Sequence, residues 1–99
     1  DLPGVDARRQ IFQIHLTRKQ RDPHKFRVDD LADASKDLTG SEIEQAIASG
    51  LFHAFSEKRE LQTEDILKSI VETHPLSSLM AEKIEYLRDW AANRCVLAD

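Results

Sequence analysis

Four histidines, one cysteine and a loop crowded with cations are the residues of this chain whose side chains could do chemistry. His15, His24, His53 and His74 are ordinary zinc ligands by type, yet no two stand four apart and Cys95 has no second cysteine beside it. Compact tetrahedral sites need closer spacing than this, so the four read as isolated surface or partly buried histidines. No serine sits in a Gly-x-Ser-x-Gly elbow, and no Gly-x-x-x-x-Gly-Lys loop is present to cradle a phosphate. The acidic residues fall on expected solvent faces and in first helical turns, where they complement the helix dipole. None is assigned to proton transfer, and the chain by itself is not expected to be catalytic.

The loop "TRKQRDPHKFR" gathers Arg18, Lys19, Arg21, Lys25 and Arg27 around Phe26. It reads either as a contact for an anionic partner or as cations at a helix C-terminus followed by a solvated loop. Nucleic acid is disfavoured as that partner, because 14 Lys and Arg stand against 18 Asp and Glu, a net charge of −4, and binding to it rests largely on neutralising phosphates. Cys95 is reactive if exposed and inert if packed. Tyr86 and Trp90 form a docking stripe or part of a core.

These residues need helices to position them. The spacing predicts a first helix from about Asp6, as N-cap, to Lys19, with Ile11, Ile14 and His15 on one side and Phe12 and Leu16 on an adjacent one. Arg21-Asp22-Pro23 ends it, since a residue before proline is pushed out of helical geometry, and residues 21 to 28 read as a polar loop. A short second helix, Asp29 to Lys36, buries Leu31, Ala32 and Leu38. In "DLTGSEIEQA" the Thr39-x-x-Glu42 spacing is that of a capping box and opens a third helix reaching about Lys58. Its apolar stripe is Ile43, Ile47, Leu51, Ala54 and Phe55, with Ala46 and Gly50 small enough for close helix approach. Thr63 caps a fourth helix with Ile66, Leu67, Ile70 and Val71 inward, and Pro75 stops it. A fifth follows from Ser77 or Ser78 with Met80, Ile84, Leu87 and Ala91 on one face.

No segment alternates with a period of two, so the fold class is all-α, a small bundle of four to five helices. Ninety-nine residues allow one modest core. A composition of 40% hydrophobic and 32% charged residues, with only three glycines and three prolines, suits a folded helical domain with short connections. A single cysteine makes an intracellular, reducing compartment the expectation. No apolar run is long enough to span a bilayer as a helix. The opening "DLPG", without an initiator methionine, reads as a linker from something longer.

Taken in order, "LPGVDARRQIFQIHL" and "LTGSEIEQAI" resemble the AAA family of ATPases, specifically their small α-helical lid, the C-terminal part of the ATPase module. The family pattern appears here as Leu2-Pro3, Arg9, Ile11 through His15, and Gly40-Ser41-Glu42-Ile43. The resemblance covers roughly residues 2 to 72. The tail "HPLSSLMAEKIEYLRDWAANR" is most similar to bacterial and plastid members. On this resemblance residues 1–4 are the linker from a large ATPase domain, 5–74 the lid, and 75–99 a C-terminal extension helix.

The resemblance implies a cytoplasmic machine that couples ATP hydrolysis to remodelling a macromolecular substrate. Its large domain would carry the Walker motifs, the magnesium and the arginine fingers, and the lid would close over the adenosine of ATP and touch the neighbouring subunit of a ring, usually a hexamer. Nucleotide binding is assigned by the resemblance to four positions. Ile11 would pack on the adenine, His15 would hydrogen-bond the ribose, and Gly40 and Ser41 would present bare backbone to the adenosine. The family's Gly-Ala is Gly-Ser here. Wider AAA+ relatives place a sensor arginine near this helix start; none occurs between Lys36 and Lys58, in keeping with the narrower AAA branch. Two other readings stand beside this one: a stand-alone helical interaction module, in which Tyr86, Trp90 and the apolar edge of the last helix dock a partner, and a small nucleic-acid adaptor using the basic loop. Without the resemblance, His15 reads as a core histidine and Gly40 as an ordinary turn residue.

Overall fold

The computed structural model describes residues 2–74, and within them every regular element is helical. Four α-helices, α1 (Val5–Arg18), α2 (Val28–Ala34), α3 (Gly40–Ser56) and α4 (Thr63–Thr73), are joined by short connections, with one 3-10 turn (Pro23–Lys25) between α1 and α2. The proposed fifth helix, with Tyr86, Trp90 and Cys95, lies outside the described residues.

The core is built from one row of side chains on each helix. Phe12 and Leu16 on α1, Leu31 on α2, Ile43 and Ile47 on α3, and Ile66 and Ile70 on α4 are all fully buried. Alanines 32, 34, 46 and 54 fill the gaps between them. Spacing of three or four residues puts each row on one side of its helix, and burying these rows is what makes short helices stable in water. The inward side of α1 is thus the Phe12–Leu16 row. Ile14 and Phe55, expected on apolar stripes, are exposed.

Helices α3 and α4 approach closely at Gly50. A Cβ built on Gly50 would stand 3.3 Å from the Asp65 carbonyl carbon, the Ile66 nitrogen and Ile66 Cγ1. Two of those atoms are backbone and cannot rotate away, so a larger residue fits only if the helices give by a few tenths of an ångström, and packing rather than dihedral angles favours glycine. That cost to the helix, about 1 kcal/mol against alanine, is offset by the contact it allows.

Helix ends follow local chemistry, with three differences from expectation. Gly4, not Asp6, is the N-cap of α1; Asp6 lies in the first turn and accepts from Arg9 at 2.7 Å. α1 is closed before Pro23 can act: Gln20 adopts a left-handed conformation (φ 62°), with Arg21 N–H donating to the Leu16 carbonyl and Gln20 N–H to that of Thr17. This Schellman arrangement recurs after α3 at Lys58 (φ 57°). Gln62, not Thr63, precedes α4, and its N–H donates to Asp65 Oδ2 at 2.8 Å. Thr63 is instead the first helical residue, and its hydroxyl accepts from the Arg27 N–H at 3.2 Å, tying α4 to the start of α2.

Asp65 is a buried acid where solvent-facing acids were expected. Burial pushes its carboxyl upward, but the Arg59 guanidinium, bound at 2.7 Å through both nitrogens, and the Gln62 N–H outweigh this and hold it below the ordinary range. A bidentate pair of this kind also fixes the α3–α4 connection.

Two outcomes are expected. Gly50→Ala should lower the melting temperature by about 5 °C, because overpacking against backbone exceeds the gain in helix propensity. Asp65 binds its proton more readily in the unfolded chain, so its contribution is complete above pH about 4 and lost as the pH falls through its lower folded value. Urea unfolding between pH 7 and 2 should show this loss in the wild type. Asp65→Asn should be about 2 kcal/mol less stable at neutral pH and show a flatter acid limb.

Candidate functional site

Two helices bring the four sequence-selected residues to one edge of the bundle. On α1, Ile11 and His15 are separated by one turn and so share a side. On α3, Gly40 is the first helical residue, and a Cβ there would lie 3.7 Å from Ile11 Cδ1. One turn along each helix, His15 Nε2 lies 3.9 Å from Glu44 Oε2. Ile11 and His15 therefore run beside Gly40 and Glu44 as two matched rungs. Ser41 follows on the exposed side of the α3 start.

The capping box makes this start unusual in what it leaves open. Glu42 N–H donates to the Thr39 hydroxyl at 3.1 Å, and Thr39 N–H donates to Glu42 Oε1 at 2.9 Å. The Thr39 N–H also holds the Glu42 carboxyl below its usual range. Of the first donors of the helix, these two are satisfied. Among the described residues nothing accepts from the N–H groups of Gly40 and Ser41. Such free donors at a helix start favour an acceptor or an anion.

Gly40 is not explained by the chain itself. Its φ is not positive, and 3.7 Å from Ile11 is ordinary van der Waals distance, so an alanine would fit. What glycine leaves is bare backbone on the outer side, beside a half-buried isoleucine and a histidine whose side chain is 14% exposed. His74, just past α4, has its Nε2 3.6 Å from Glu42 Oε2.

Other candidates separate. His24 stands beside Asp22 and His53 beside Glu57, each on its own surface. The basic loop is partly neutralised: Arg27 binds Asp30 and Glu64, and Arg21 faces Glu60. Arg9, the arginine picked out in the first helix, is a surface residue paired with Asp6 and Asp29, whereas its neighbour Arg8 is turned inward. Nothing in the spacing separates the two; only the direction of the Phe12–Leu16 row, read as Arg8-Phe12-Leu16 at intervals of four, could have. Phe52 and Phe55, 77% and 82% exposed, form an apolar patch at the far end of α3.

Among the described residues no helix is long and apolar enough to cross a membrane. No protein-family model matches the chain, and no solved structure matches it significantly. Its sequence relatives are AAA domain-containing proteins, and the chain is homologous to one part of them. It is 39% identical over 94 residues to a protein of Pyropia yezoensis named "Uncharacterized AAA domain-containing protein ycf46". Proteins of the same name from Gracilaria tenuistipitata var. liui and Trieres chinensis are 37% and 33% identical over 92 and 94 residues. These matches cover 92–94% of this chain but only 19% of each relative.

Gly40→Ala should leave the fold intact and raise its stability by about 0.5 kcal/mol, measured by urea unfolding, because alanine is the better helix former and meets no obstacle. A loss of stability would mean that packing within the chain demands the glycine.

Proposed function

We propose that this chain is the helical lid of an AAA-type ATPase and forms one wall of its adenosine site. One observation carries the reading: Ile11, His15 and Gly40 line one edge with Ser41 next in the chain, where glycine is unneeded by the fold and, among the described residues, two helix-start donors have no acceptor. An adenine face suits the Ile11 side chain, a ribose hydroxyl suits the imidazole of His15, and bare backbone at Gly40 lets a flat ligand come close. The relatives' name supports the AAA link.

A lid supplies only one side of the pocket. The Walker motifs, the magnesium and the residues that perform hydrolysis belong, on this reading, to a large domain preceding the lid. The parent protein is then a cytoplasmic ATP hydrolase, while this part binds and moves. Opening and closing over nucleotide would turn the lid against the large domain and against a neighbouring ring subunit, transmitting hydrolysis to a macromolecular substrate. The exposed Phe52–Phe55 patch suits such a neighbour. It equally favours a second reading, a helical module that docks a protein partner without nucleotide. The presence of a Gly-x-x-x-x-Gly-Lys-[Ser/Thr] motif upstream in the gene separates the two.

In the full-length ATPase, His15→Ala and Gly40→Leu should each raise the apparent KM for ATP by about five-fold, the equivalent of one lost hydrogen bond or close contact. Circular dichroism should show the lid still folded. Unchanged ATP affinity in both variants would sink the assignment.

A further inference from the structure

Arg8 is the one arginine among the described residues that is buried, 7% exposed and in line with Phe12 and Leu16 on the inward side of α1. Its Nε donates to the Ala32 carbonyl at 2.8 Å and its Nη1 to the Pro3 carbonyl at 2.8 Å. Its main-chain N–H donates to the Gly4 carbonyl at 2.9 Å. Ala32 lies in the last turn of α2, where carbonyls lack a helical partner and the dipole is negative. The hydroxyl of fully buried Ser35 donates to the same oxygen at 3.1 Å. One rigid, planar guanidinium therefore joins the end of α2 to the residue two before α1.

Between those anchors sits Gly4, the N-cap of α1, in extended conformation (φ −75°, ψ 179°) and with nothing within 4 Å of the place a Cβ would take. Left to itself this glycine is a free pivot. Arg8 spans it, binding the carbonyls on either side of the Gly4 nitrogen and α carbon.

We propose that Arg8 is a positioning residue that locks the direction in which the chain enters the bundle, by fastening the Pro3 carbonyl to the end of α2 across Gly4. Its consequence for activity rests on the lid reading above. Any rotation passed between a preceding domain and the bundle travels through residues 2–4. With the Arg8 bridge in place the bundle turns as one body; without it the motion dissipates at Gly4.

Heteronuclear NOEs of the Leu2 and Gly4 amides in the 99-residue chain test the bridge directly. Wild type should give values near those of α1. Arg8→Met, which removes every side-chain donor, and Arg8→Lys, whose single ammonium cannot span both carbonyls, should drop them to those of a free chain end. Amide shifts of Ile47 and Ile66 should stay put, and surface Arg9→Lys should change nothing. Retained order at Leu2 and Gly4 in both Arg8 variants overturns the proposal. So does loss of the helical fold in both, since Arg8 would then support the core instead of steering the entering chain. In the full-length ATPase, Arg8→Lys should lower kcat by about five-fold while KM for ATP stays within about two-fold; an unchanged kcat overturns the coupling. A failure of the ATPase reading shows elsewhere, as unchanged ATP affinity in the His15 and Gly40 variants, and leaves the NOE result to decide the bridge alone.

Discussion

The contact of Gly50 with the α4 backbone sets the geometry on which the remainder of the bundle is built. At 3.3 Å from a prospective Cβ, the start of α4 would have to give by a few tenths of an ångström to admit anything larger than a hydrogen atom. The two helices run in opposite directions from there, so that His74, at the end of α4, returns to Glu42 at the start of α3. Arg59 and Asp65 brace the same junction from the side of the connection. Once α3 and α4 are fixed, the rows Ile43–Ile47 and Ile66–Ile70 face the groove that Phe12, Leu16 and Leu31 fill.

That arrangement holds the start of α3 at the surface while anchoring its middle. The capping box satisfies the donors of Thr39 and Glu42 and leaves those of Gly40 and Ser41 without an acceptor among the described residues. Ile11 covers one flank, and the His15–Glu44 rung continues the strip. Chemically this is a wall with an apolar part, an imidazole and backbone donors. As the proposed adenosine wall it would bind in company with a second surface; the chain spans about a fifth of the length of the AAA domain-containing relatives it matches.

Much of this was legible residue by residue. Thr39 and Glu42 announce their helix start because the two side chains satisfy each other's backbone, which depends on no distant contact. Leu31, Ala32, Ile43, Ile47, Ile66 and Ile70 follow from periodicity, because apolar surface must leave water. Other features depended on competition between local options. Asp6 and Gly4 could each cap α1, and Thr63 and Gln62 could each cap α4; in the structure Asp6 pairs with Arg9 within the first turns of α1, and a tertiary bond from the Arg27 N–H engages Thr63. Gln20 closes α1 in a left-handed conformation usually left to glycine, so no residue type signalled it. Phe55 fits an apolar stripe by spacing, yet no helix among those described covers that side of α3.

The sequence by itself determined the all-helical class, the positions of the helices to within a turn, most of the buried rows, and the four residues of the candidate wall. All of these arise from local capping, from period and from a resemblance carried by short motifs. Only the tertiary structure decided that Ile11 lies on Gly40, that Arg8 and not Arg9 is held inside, and that Asp65 is a buried acid with its own counterion. Those outcomes depend on how α1 is rotated about its axis and where α2 ends against it. That rotation is set by packing all four helices at once, which no single stretch of chain encodes.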